Sequence, residues 1–73
     1  MNYAVQQRLR LIEFLICEYG YINRSALMNY FGISMPQASR DISDYMKLCP
    51  GNIEYSTVDK AYKRTTHFKI RFH

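Results

Sequence analysis

Arg40, Ser43 and Lys47 follow one another at three- and four-residue spacing in the stretch "GISMPQASRDISDYMKL", residues 32–48, with Ser34, Pro36, Gln37 and Ser39 just ahead of them. At about 100° per residue, a helix over this stretch places Pro36, Arg40, Ser43 and Lys47 in one row. Gln37, Ser39 and Asp44 fall along its edges. Ala38, Ile42, Tyr45 and Cys49 gather on the opposite side, flanked by Met35 and Met46. The outward groups hold no nucleophile with a base beside it and no set of metal ligands. They are hydrogen-bonding side chains and cations, suited to a polar surface that carries negative charge. The helix also has a firm start: Ser34 and Gln37 stand three apart as a capping box requires, and Pro36 lies in the first turn, where no backbone hydrogen bond is lost.

The rest of the chain narrows the chemistry by exclusion. Its 73 residues are 48% hydrophobic and 22% charged, the balance of one small globular domain spanning 1–73. Such a chain buries only about 60% of its unfolded surface and leaves little room for a pocket. There is no glycine-rich phosphate loop and no Ser-His-Asp set, so the sequence is not read as an enzyme, and no cofactor is expected. Cys17 and Cys49 form no CxxC pair, while His67 and His73 lack ligand spacing, so reduced structural thiols and no metal are expected. The apolar run "LIEFLIC" is broken by Glu13 and is far shorter than a membrane span. A cytoplasmic protein with no membrane partner is the expectation. The net charge is +4, and from Lys60 onward Lys60, Lys63, Arg64, Lys69 and Arg71 occur without an acid. A basic segment of this kind suits an acidic partner, most often nucleic acid.

Three helices position the polar row. Residues 3–19 carry Val5, Leu9, Ile12, Ile16 and Tyr19 at helical spacing, widened by Leu11 and Leu15, with Gln6, Gln7, Arg10, Glu13 and Glu18 on the other side. Phe14 projects from that polar side, and Gly20 is the stop signal. Asn23 is an N-cap for the short helix "RSALMNYF", whose buried side is read as Ala26, Leu27, Tyr30 and Phe31, with Gly32 ending it. The third helix runs from about 35 to 48. "CPGN" is a turn, "IEYS" a strand, "TVDK" a hairpin loop and "AYKRTT" the returning strand. "HFKIRFH", residues 67–73, alternates strictly and predicts an amphipathic strand or linker with Phe68, Ile70 and Phe72 on one face.

This order predicts a mainly α (α+β) fold, a three-helix winged helix-turn-helix, with the helix-turn-helix at about 23–48 and the C-terminal β-hairpin wing at about 53–66. In that architecture the third helix enters the major groove and its leading residues reach base edges. Arg40 is then the first candidate for a base or phosphate contact, with pairing to Asp44 as its alternative. Gln37 suits adenine unless the capping box occupies it. Pro36 would meet thymine methyl groups. Ser34, Ser39, Ser43 and Lys47 are phosphate candidates, as are Asn23, Arg24 and Ser25 at the start of the second helix. Lys60, Lys63 and Arg64 are the wing's candidates for phosphate or minor groove. Asp41 is expected to hold Arg8 or Arg24, Asp44 to restrain Arg40 or Lys47, and Tyr55 and Tyr62 to pack within the hairpin.

The motifs "YGYINRSALMNYFGISMPQASRDISDYMKLCPGNIEYSTVDKAYKRT" and "FKIRF" resemble the N-terminal winged-helix domain of bacterial transcription factors that carry a WYL-type ligand-sensing domain, among them repressors of phage-defence gene clusters. The combination "YFGIS-PQAS-DI-Y" followed by "PGN" carries the specificity of the likeness. The resemblance implies double-stranded DNA as partner, a palindromic operator and a homodimer, in a bacterial or phage-encoded protein on the nucleoid. Larger members continue into sensing and dimerisation domains beyond "FKIRF", whereas this chain ends at His73, so ligand sensing is not carried over. Tyr3, Phe14, Phe68, Ile70 and Phe72 are the candidate dimer surface. The competing reading is a protein-interaction module that pairs with or antagonises a larger regulator of the same family. RNA binding is weaker, since no stacking platform is visible.

Overall fold

A computed structural model describes residues 2–72. Helix α1 spans Tyr3–Tyr19, strand β1 Tyr21–Ile22, helix α2 Arg24–Phe31, helix α3 Met35–Leu48, strand β2 Ile53–Ser56 and strand β3 Ala61–Arg64. The architecture is three helices with a small antiparallel sheet, as the order of elements predicts. Helix limits follow from local chemistry. Asn2, Asn23 and Ser34 cap α1, α2 and α3, accepting from the amides of Val5, Ala26 and Gln37. The turn between α2 and α3 needs Gly32, whose φ of 65° lies in the left-handed region that lets the chain leave α2 after a single turn residue.

The sheet has the order β1-β3-β2. The hairpin pairs Ile53 with Arg64, Tyr55 with Tyr62 and Ser56 with Ala61. Tyr55 and Tyr62 meet edge to face, with ring centroids 4.9 Å apart, so they do pack within the hairpin. Strand β1 is not foreshadowed by the residues; two are too few to show a period, and it exists because β3 offers Lys63 and Tyr62 as partners for Tyr21 and Ile22.

Leu9, Ile12 and Ile16 of α1, Ile22 of β1, Leu27 of α2, Ala38, Ile42 and Tyr45 of α3, with Cys49 and Ile53, form the core. Tyr19 and Tyr30, expected inside, are 68% and 67% exposed. The buried arc of α2 is centred on Leu27, with Phe31 and Met28 packing from one side, and Tyr30 falls beyond its other edge. Tyr19 lies past the last buried turn of α1.

Glu13 is the opposite case. Expected on the polar side, it is buried at 2% exposure. Its carboxylate accepts from the Tyr45 hydroxyl at 2.9 Å and from the backbone amides of Arg71 and Phe72. Burial pushes the Tyr45 hydroxyl far above the usual tyrosine range, and the Glu13 carboxylate adds to this, so the phenol stays protonated and donates. Asn52, also buried, donates to the Tyr45 hydroxyl and to the Lys69 carbonyl, and accepts from the Lys69 amide. Every buried polar side-chain atom among the described residues has a partner.

These bonds explain why the C-terminal strand predicted at 67–73 does not form over its described part, 67–72; His73 lies outside the described residues. Consecutive amides of a strand point to opposite sides, yet Glu13 takes both Arg71 and Phe72. Phe68 and Phe72 pack partly buried against the core, and Ile70 is left 56% exposed. Both thiols are free; Cys49 is buried, and burial pushes it up from the usual thiol range. Among the described residues no helix is long and apolar enough to cross a membrane.

Candidate nucleic-acid interface

Helix α3 packs Ala38, Ile42 and Tyr45 inward, which turns Pro36, Arg40, Ser43 and Lys47 to solvent as one row. Among the described residues, Arg40, Ser43, Asp44 and Lys47 make no hydrogen bond or ion pair through their side chains. The expected restraint of Arg40 or Lys47 by Asp44 is therefore absent. The row presents two unneutralised cations and a hydroxyl on a rigid element.

The leading end of α3 is organised differently. Ser34 accepts from the Gln37 amide at 3.3 Å, but the return half of the capping box is missing. The Gln37 side chain instead donates through Nε2 to Asp41 Oδ1 at 2.9 Å. Asp41, 1% exposed, is held from α1 by Arg8, whose Nε lies 2.6 Å from Oδ2. Of the two arginines expected for Asp41, Arg8 is the partner. Arg24 donates to Ser39 Oγ at 3.3 Å, tying the start of α2 to α3. Asn23 Oδ1 is committed to its capping bond, 2.8 Å from the Ala26 amide, while Ser25 is exposed.

The wing distributes its charge less openly. Lys63 forms an ion pair with Asp59, and this contact holds the Asp59 carboxyl below the usual carboxylate range. Arg64 folds back to donate to the Cys17 carbonyl at 2.8 Å, at the end of α1, where the helix dipole favours a cation. Lys60 is exposed at the hairpin turn, with φ of 53°. Of the three expected wing contacts, Lys60 is the one whose ammonium engages no other described residue.

The candidate dimer residues split as well. Phe14, Ile70 and Phe72 line one shallow groove with Arg10 and Cys17, whereas Tyr3 is exposed elsewhere on α1 and Phe68 packs against the core. Sequence reasoning missed the roles of Glu13 and Asn52 entirely. It had a signal for the Gln37–Asp41 bond in their four-residue spacing.

Residues 4–73 match the family described as the BrxR transcriptional regulator winged helix-turn-helix domain. The chain belongs to that family. Relatives of this BrxR-type domain include the DNA-binding transcriptional repressor CapW of Pseudomonas aeruginosa, 46% identical over 97% of the chain and 24% of the relative. CapW of Escherichia coli strain KTE188 is 45% identical over 93% of the chain and 23% of the relative. CapW of Stenotrophomonas maltophilia is 39% identical over 94% of the chain and 23% of the relative. The chain thus spans about a quarter of the length of these relatives. The BrxR-type match agrees with the resemblance to WYL-regulator winged helices carried by residues 19–65.

Proposed function

We propose that this BrxR-type domain is the sequence-specific double-stranded DNA-binding module of a bacterial transcriptional repressor. Helix α3 enters the major groove, where Arg40 contacts a guanine edge or phosphate and Ser43 and Lys47 contact the backbone. Lys60 carries the wing's contact to the backbone or minor groove. Two copies pair to read a palindromic operator, with half-sites about one helical turn apart, and Phe14 with its neighbours on the C-terminal segment is the candidate surface between them. The protein acts on the nucleoid in the cytoplasm, within or beside a larger regulator. The observation that carries this reading is the row Arg40, Ser43 and Lys47, left without side-chain partners among the described residues on a helix that buries Ala38, Ile42 and Tyr45 on its other side. The repressor names of the relatives support it.

Fluorescence anisotropy tests it with two duplexes, the DNA upstream of the chain's own gene and a scrambled control, over a salt series. Tight binding to the upstream duplex alone, falling steeply with salt, is the expected result. Equal weak binding to both would reduce the role to nonspecific coating. No binding to either at low salt would favour the protein-docking alternative.

A further inference from the structure

Gln37, on the polar edge of α3, is half-buried and tethered to a residue of its own helix. Its Nε2 donates to Asp41 Oδ1, and Asp41 in turn receives Arg8 Nε at 2.6 Å and Nη2 at 3.4 Å. A carboxylate locked in an ion pair only accepts, so the nitrogen of the Gln37 amide must face it and the amide oxygen must face away. Gln37 is the third residue of α3, at the leading end of the helix. Arg8 belongs to α1, so a helix packed against the inner side of α3 sets the direction of a side chain at the edge of the polar row.

We infer that the Arg8–Asp41 pair is a positioning device that fixes the Gln37 amide with its oxygen outward, making Gln37 a reader of base pairs that present an amino donor in the major groove, adenine above all. Adenine N6 donates to the outward oxygen, and the second hydrogen of Nε2 remains for adenine N7. Cytosine N4 satisfies the oxygen alone. Guanine O6 and thymine O4 would set an acceptor against an acceptor, and the tether prevents the amide from turning over to accommodate them. The inference rests on the proposed entry of α3 into the major groove and adds to it the base class read at one position and the pair that enforces it.

In vitro selection from a pool of random duplexes with the purified chain tests this and requires no known operator. The wild type should enrich sites with one base pair where adenine is preferred over guanine by roughly tenfold. Gln37→Ala should erase that preference and leave the others. Asp41→Asn, which frees the amide to turn, should weaken the preference at the same base pair severalfold while the remaining positions keep theirs. A purely structural role for Asp41 would instead lower affinity evenly at every position. Should Asp41→Asn fail to fold, the selected site is resynthesised with purine in place of that adenine, removing only the N6 amino group. The wild-type chain should then bind about tenfold more weakly. An unchanged affinity, a preference for guanine or thymine, or an Asp41→Asn profile identical to wild type overturns the inference alone. A pool that enriches no sequence overturns it together with the major-groove reading.

Discussion

Helix α3 and the wing both bring arginine and lysine to the surface, but the structure treats the two sets differently. On α3 the cations of the outward row, Arg40 and Lys47, stand on a helix face with no acceptor engaged among the described residues. On the wing, Lys63 is paired with Asp59 and Arg64 is folded onto the end of α1, so two of its three central cations serve the domain itself. The same residue types therefore divide into charge available to a partner and charge used internally. Under the proposed function, the first set governs affinity for an anionic ligand and the second the shape of the scaffold. A composition that counts +4 does not distinguish them.

Substitutions at four positions test this division, and they are ordered by their effect on DNA affinity. Arg40→Ala should weaken specific binding by roughly tenfold or more, the range expected when a bidentate base contact is removed. Anisotropy should show the loss confined to the specific duplex if Arg40 reads a base, and shared by both duplexes if it holds a phosphate. Lys60→Ala should cost severalfold on any sequence and lower the salt slope by about one, since one phosphate contact is lost. Asp59→Ala should act in the reverse direction. Releasing Lys63 should strengthen binding by about twofold at low salt and by nothing at high salt, as exposed pairs are weak and screened. Arg64→Ala should leave affinity nearly unchanged while lowering Tm by about 2–5 °C, which differential scanning fluorimetry resolves. A large loss of affinity in Arg64→Ala with an unchanged Tm would reverse the assignment of the wing.

The helices are legible in the sequence because their ends are written in local chemistry. Asn23 and Ser34 cap, Gly20 and Gly32 stop, and the core stripe of α3 repeats at helical spacing; α1, α2 and α3 accordingly run where the residues place them. The hairpin is legible from two alternating segments around "TVDK". What fails depends on partners distant in sequence. "HFKIRF" alternates like a strand, but alternation states only that two faces differ, while a ladder needs backbone amides free to pair. The amides of Lys69, Arg71 and Phe72 donate instead to the side chains of Asn52 and Glu13. Glu13 reads as a surface acid until the amides of residues 71 and 72 are brought to it. Among the candidate contacts, residue types are readable and their commitments are not. Nothing local in the sequence shows that Arg64 reaches the Cys17 carbonyl, and for Gln37 the four-residue spacing to Asp41 competes with the three-residue spacing back to Ser34.

Asn52 and its neighbour Gly51 hold the chain at two places a few residues apart. The Thr65 amide donates to the Asn52 carbonyl at 3.0 Å, and the Thr65 hydroxyl donates to the Gly51 carbonyl. Four residues later, Lys69 exchanges two bonds with the Asn52 side chain, and Glu13 takes Arg71 and Phe72. Residues 65–69 are therefore a closed ring of fixed size. A strand in a ladder can slip by two residues and recover its bonds; a ring fastened at both ends cannot. Losing one residue at Thr66 or His67 would leave the hairpin intact and put Lys69, Arg71 and Phe72 out of reach of their acceptors together. The bonds at its two ends fix the length of this segment, whereas the side chains of Thr66 and His67 between them are exposed.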